Sequence, residues 1–276
     1  MTLNCDGELL SLDRPRILGI LNVTPDSFFD GGQFDSPDAA LRRAEELLEA
    51  GADFIDIGGY SSRPGAEDVP EAEEIRRTVP VIAAIRKRFP DARISIDTFR
   101  SRVASEALEA GASLVNDITG ATADPHMLPL VAERGVPVIL MHMRGNPATM
   151  SVLTDYHNLV PEILQYFSER IAAARALGIV DVIADPGFGF AKTRQQNFEL
   201  LAGLETFRIL EVPVLVGLSR KSMIWKTLGI EPQHALNGTT ALHMAALERG
   251  ACLLRVHDVR EARECISLWE ALGGHG

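Results

Sequence analysis

The sequence predicts a single-domain α/β fold in which eight parallel strands close into a barrel wrapped by helices. Three observations carry that expectation. First, one phrase recurs along the 276 residues, a helical stretch ending in Gly that runs into a short apolar strand closed by polar residues. It occurs as EAGADFIDIGG (Glu49 to Gly59), EAGASLVNDITG (Glu109 to Gly120), ERGVPVILMHM (Glu133 to Met143), ALGIVDVIADPG (Ala176 to Gly187) and ERGACLLRVHD (Glu248 to Asp258). Each Gly can adopt the left-handed cap that stops a helix, and the apolar run after it suits a strand buried on both faces. Second, Arg16 to Val23, Arg93 to Thr98 and Pro213 to Ser219 read as strands without that Gly, which brings the candidates to eight. Third, helix and strand alternate throughout, which leaves a closed barrel or an open doubly wound sheet. Eight units in a chain of this length favour closure, since such barrels take about 250 residues, and no Gly-x-Gly-x-x-Gly follows the first strand. The expectation is therefore an eight-stranded parallel (β/α) TIM barrel over residues 16–276, with residues 1–15 as an appendage at its bottom.

Arg16 to Val23 opens the barrel and is followed by NVTPDSFFDGGQFDS, a long turn-rich loop. The first helix starts at Ser36-Pro37-Asp38, with Ser as N-cap and Pro at the first helical position, and sets Ala40, Ala44, Leu47 and Leu48 on one face. The second strand leads into another long loop, GGYSSRPGAEDVP. Long loops after strands are where barrels keep binding segments, although Gly and Pro also mark ordinary turns. Phe28 and Phe29 sit among the turn residues of the first loop, placed either to close over a flat ligand or to latch the loop.

Composition narrows the class of partner. With 46% hydrophobic residues, 24% charged and a net charge of −11, the chain suits a soluble domain whose surface repels nucleic acid and anionic membranes. Cys5, Cys252 and Cys265 have no Cys-x-x-Cys spacing, so neither a disulfide framework nor a zinc site is expected, and a reducing cytoplasm fits best. The opening MTLNCDGELLSLDRPR carries no apolar core of signal-peptide length, and no run of about 18 apolar residues follows.

In a barrel the chemistry sits at the C-terminal ends of the strands. Those ends supply Asn22, Asp56, Asp97, Asn116 with Asp117, His142 with Met143, Asp185, Ser219 with Lys221, and Arg255 with His257. Alternation puts Arg255 and His257 on one face, and Asp97 on the face of Ser95. Any single strand-end Asp can serve to brace a turn. As a set, carboxylates and carboxamides suit a neutral heterocycle with N–H donors, whereas Arg, Lys and His suit phosphate. Neither His-Glu-x-x-His nor an acidic EF-hand loop occurs; a pyrophosphate ligand would bring Mg²⁺, which is held by few protein oxygens and leaves little trace in sequence.

Eight segments in order resemble the dihydropteroate synthases, folate-pathway enzymes on a pterin-binding barrel: ILNVTPDSFFDGG, DIGGYSSRPGA, ISIDT, VNDITG, LMHMRG, DPGFGFAKT, VGLSRKS and RVHDV. The resemblance spans nearly the whole chain. It implies condensation of 6-hydroxymethyl-7,8-dihydropterin diphosphate with 4-aminobenzoate to 7,8-dihydropteroate and pyrophosphate by a dissociative route, with Mg²⁺, a sulfonamide-sensitive site and a cytoplasmic homodimer. By matching position, Asp97, Asn116, Asp185 and Lys221 read the pterin edge, while Met143, Phe190 and Gly217 shape its slot. Asn22, Arg63, Arg255 and His257 hold the diphosphate; Asn22 also touches the metal, and Arg255 stacks on the pterin. Phe29, Ser62, Pro64 and Lys221 resemble the aminobenzoate walls, with Ser222 receiving the carboxylate. Arg63, Lys221, Arg255 and His257 carry the catalytic expectation. The second loop departs from the familiar Gly-Gly-Glu-Ser-Thr-Arg-Pro-Gly in two places, with Tyr60 for Glu and Ser62 for Thr.

Three other readings use the same residues differently. A folate-binding module that presents a methylated pterin to a corrinoid partner keeps the carboxylates and Asn but needs no diphosphate clamp. A non-catalytic paralogue is expected to lose Arg63, Lys221, Arg255 or His257, all of which are present. A sugar-phosphate barrel enzyme has less use for Asn116, Asp117 and Asp185.

Overall fold

The computed structural model describes residues 1–23, 37–60, 68–146 and 149–274. An antiparallel hairpin of β1 (Thr2–Cys5) and β2 (Glu8–Ser11) precedes eight parallel strands: β3 (Arg16–Asn22), β4 (Phe54–Gly58), β5 (Arg93–Asp97), β6 (Leu114–Asp117), β7 (Val138–Met141), β8 (Val182–Asp185), β9 (Leu215–Val216) and β10 (Leu253–Val256). The sheet runs β8-β7-β6-β5-β4-β3-β10-β9. Its two ends meet through one bridge, Ala184 to Val214, beside which the Ala184 N–H donates to Pro213 O at 2.9 Å. The eight expected strands and the barrel they form are all present.

The helices are α1 (Pro37–Glu49), α2 (Glu71–Arg88), α3 (Ser101–Glu109), α4 (Met127–Arg134), α5 (Leu159–Ala176), α6 (Arg194–Ala202), α7 (Ser222–Leu228), α8 (Leu236–Glu248) and α9 (Val259–Ala271). The glycines that end the recurring phrase, Gly51, Gly111, Gly135, Gly178 and Gly250, all take positive φ, between 62° and 113°. At Gly111 the requirement is double, because an added Cβ would also strike Arg86 at 2.8 Å. Thr193 opens α6 with a full capping box to Gln196. In α1, Ala40, Ala44 and Leu47 are buried as their spacing predicts.

Strand alternation divides the core. Outward residues such as Ile17, Ile55, Ile94, Val115, Val138 and Leu254 pack under the helices. Inward residues Leu18, Phe54, Leu114, Ile139, Ile183, Leu215 and Leu253 form a floor, against which Leu3, Cys5, Leu10 and Leu12 of the hairpin segment pack from below. Burying each such side chain stabilises the fold by roughly 1.5–3 kcal/mol. Residues above that floor face the mouth, which is where the functional candidates stand. No helix among the described residues is long and apolar enough to cross a membrane.

Candidate active site

Counting two residues up each strand from the floor places Asp56, Asn116, Asp185 and Arg255 on the inward face, with Asn22, Asp97, Gly217 and His257 in the same phase. The parallel register sets Asn22 beside Gly58 and Gly58 beside Asp97, which in turn pairs with Asn116. Arg255 is the hub. Its Nε donates to Asp56 Oδ2 at 2.5 Å and its Nη2 to Asp97 Oδ2 at 2.6 Å. Asn116 Nδ2 donates to the same Asp56 oxygen at 3.1 Å. Asp56 is fully buried, and its Oδ1 finds no hydrogen-bond partner among the described residues.

These charges sit where water is scarce, and their titration reflects it. Burial raises the Asp97 carboxyl above its usual range, against the pull of Arg255. Burial also raises Asp185, opposed by Lys221, and lowers Lys221 to about 8, opposed by Asp185. Burial alone would depress the Arg255 guanidinium, but the charges of Asp56 and Asp97 carry it above its ordinary value. The mouth is thus a set of groups that hold their charge only through one another.

The walls are apolar where a flat ring would need them. Met143 lies in a buried cluster with Ile118, Met141, Met150 and Ala191, with Phe190 packed against it. Lys221 Nζ stands 4.7 Å from the centre of the Phe190 ring and donates to Phe188 O. A side chain at Gly217 would project toward Lys221 Nζ at 3.8 Å and Arg255 Cβ at 3.9 Å, so Gly there keeps that side open. His257 is tied to the neighbouring turn: its N–H donates to Ser219 Oγ at 3.2 Å, and its Nδ1 lies 3.0 Å from the same oxygen. Ser222 opens α7 and is exposed. Phe28, Phe29, Ser62, Arg63 and Pro64 lie outside the described residues.

Two residues expected in the ring are not in it. Asn116 points inward, so the next residue, Asp117, points out; its carboxylate accepts from the Thr119 N–H at 2.7 Å, Thr119 Oγ1 at 2.7 Å and the Ala121 N–H at 3.2 Å. It braces the turn after β6, and burial pushes its pKa up to about 6. His142 also points outward, onto Lys192. Conversely, Asp56 had no role assigned from sequence although it holds both Arg255 and Asn116.

Among the described residues no group of three or more His, Cys, Asp or Glu is placed to hold a metal. Asn22, half-buried at the end of β3, offers one amide oxygen at the mouth. That donor set fits a magnesium ion coordinated mainly by a substrate's phosphates and water, and does not fit a resident ion.

Residues 18–257 match the family model of pterin binding enzymes. A dihydropteroate synthase of Synechocystis sp. is 48% identical over 262 residues, covering 94% of this chain and 90% of that protein. The chain belongs to the dihydropteroate synthase family of pterin-binding enzymes. Among solved members, a dihydropteroate synthase of Xanthomonas albilineans with 4-aminobenzoic acid superposes with a TM-score of 0.92 at 44% identity, covering 99% of this chain and 98% of that one. The Yersinia pestis dihydropteroate synthase with a sulfonamide drug superposes with 0.93 at 44% identity, covering 99% of both chains. Dihydropteroate synthases thus supply the frame in which the barrel mouth is read.

Proposed function

We propose that the mouth condenses 6-hydroxymethyl-7,8-dihydropterin diphosphate with 4-aminobenzoate, releasing pyrophosphate and 7,8-dihydropteroate. The observation that carries this reading is the convergence at one mouth of Asp97, Asn116, Asp185 and Lys221 with Arg255, which is bonded to Asp97, and His257. The first group has the acceptors and donors that a pterin edge requires, and Met143 and Phe190 supply apolar walls. Arg255 and His257, joined by Arg63 from the second loop, suit the diphosphate. Phe29, Ser62, Pro64 and Ser222 are assigned to the aminobenzoate, with Ser222 meeting its carboxylate.

The bond between the pterin methylene carbon and the diphosphate oxygen breaks first, and the pair of electrons leaves with pyrophosphate. The electron-rich dihydropterin stabilises the methylene cation; the aniline nitrogen then adds to that carbon and loses a proton to water or phosphate. The protein's contribution is electrostatic and positional. Arg255, locked between Asp56 and Asp97, neutralises leaving-group charge without having to reorganise, and His257 is fixed by Ser219. Magnesium carried on the diphosphate would be met by Asn22, and would supply further charge neutralisation at the leaving oxygens.

The same reading places the protein in the cytoplasm as a homodimer. Leu268 on α9 and Leu272, the residue just past its end, stay exposed at 63% and 77%, which is the feature that favours a second copy. Light scattering across a concentration series should return twice the 30.0 kDa chain mass. The function is tested by mixing protein, both substrates and Mg²⁺, then following dihydropteroate by mass alongside pyrophosphate. Product and pyrophosphate are expected in equal amounts; saturable pterin binding without product would replace the synthase reading with a binding module.

A further inference from the structure

Behind the mouth, on the outer side of the β7 and β8 strand ends, a second lysine is buried. Lys192 is 8% exposed, and its Nζ lies 3.0 Å from each of three groups: Gly187 O, Phe190 O and His142 Nδ1. Three protons meet three acceptors, since burial holds His142 neutral with a pKa of about 2. The His142 ring is itself set edge-on against Tyr166, 4.9 Å between centres, and Tyr166 donates to Met141 O at 3.0 Å. Burial lowers Lys192 to about 7, against the pull of Asp185. The contacts survive loss of that proton, because a neutral amine donates twice and accepts the third contact from the Nδ1–H tautomer of His142.

The loop that Lys192 holds, Gly187 to Phe190, is the one that shapes the slot. Its carbonyls are gripped from two sides: Lys192 takes Gly187 O and Phe190 O from behind, while Lys221 takes Phe188 O from the mouth. With Gly187 O turned back, the Gly187 N–H donates to Asp185 Oδ1 at 2.8 Å, which fixes the carboxylate. No side chain is possible there, because a Cβ on Gly187 would sit 2.1 Å from His142 O. We infer that Lys192, seated on His142, is a positioning residue for pterin recognition: it sets Asp185 and the Phe190 ring in place before the ligand arrives.

This inference rests on the proposed pterin reading, and the experiment separates the two. Calorimetry with the non-reacting 6-hydroxymethylpterin and steady-state kinetics with both substrates are run on the parent, Lys192→Met and His142→Phe. In Lys192→Met the pterin Kd and the KM for the dihydropterin diphosphate are expected to rise tenfold or more together, with the KM for 4-aminobenzoate within threefold of the parent. A general structural loss would move both KM values or neither. In His142→Phe, which keeps the ring but removes the nitrogen, pterin Kd is expected to rise at least threefold; this variant decides the matter if Lys192→Met does not fold. Pterin affinity within twofold of the parent in a folded Lys192→Met, or in His142→Phe where Lys192→Met does not fold, overturns the positioning role. A parent protein that binds no pterin overturns the functional reading itself, and the positioning role with it.

Discussion

The floor and the mouth of the barrel are built from the same strands and differ by two residues. Leu18, Phe54, Leu114, Ile139, Ile183, Leu215 and Leu253 line the floor; the next inward positions are Ile20, Asp56, Asn116, Met141, Asp185, Gly217 and Arg255. Roughly 7 Å along each strand separates a layer held by packing from one held by mutual charge. The floor residues named are apolar and carry no side-chain polar group that needs a partner. In the mouth satisfaction is partial: Asp56 Oδ1 has no hydrogen-bond partner among the described residues. The contrast teaches that the apolar layer and its hairpin supply the stability that lets the layer above keep unsatisfied groups for a ligand.

The sharpest way to break this contrast is Arg255→Met. It removes the guanidinium that Asp56 and Asp97 share, and is expected to lower kcat/KM by about 10³. Leaving two buried carboxylates without their counter-charge should also cost roughly 3–5 kcal/mol. Pyrophosphate release and urea midpoints measure the two effects, and turnover within tenfold of the parent would show that the mouth does not work by charge. Leu114→Ala tests the other layer. Opening a cavity in the floor should cost about 2–5 kcal/mol in urea unfolding, while kcat at a temperature where the protein is folded stays within twofold; a large fall in kcat would mean that the layers are not separable.

The third test asks where acid sensitivity comes from. Burial raises Asp97 and Asp185, so the folded state binds their protons more tightly than the unfolded chain, and these groups favour the fold as pH falls. His243, buried on α8, is lowered from 6.5 to about 4 by burial, and its Nε2 has no hydrogen-bond partner among the described residues. The unfolded chain therefore takes up this proton first: stability is full above pH 6.5 and declines as pH falls toward 4. The loss at pH 5 is about 2 kcal/mol. Unfolding free energies from urea titrations at pH 7.5 and pH 5 should differ by about 2 kcal/mol less in His243→Leu than in the parent; an unchanged difference would move the acid sensitivity elsewhere.

Much of this was legible in sequence because its causes are local. A Gly with positive φ followed by an apolar run marks five of the steps into a strand, and strand phase alone puts Arg255 and His257 together. Phase also separates Asn116 from Asp117 and His142 from Met143, and grouping all four at the rim ignored it. What sequence did not offer was partnership across the barrel. Asp56 meets Arg255 and Asn116 from 199 and 60 residues away. Nothing around Lys192 in the chain signals that its ammonium turns away from the mouth to hold a loop.

The single bridge that closes the barrel has a consequence for how the protein behaves with its ligand. Among the described residues one bridge, from Ala184 of β8 to Val214 just before the two-residue β9, closes the ring, making this its thinnest seam. Asp185 stands on one bank, Gly217 and Lys221 on the other, with Lys221 reaching over to Phe188. A molecule that engages Asp185 and Lys221 together therefore acts as a keystone, completing mechanically the one joint that the backbone leaves thin. Occupancy of the mouth would thus reinforce a ring that the backbone has already closed.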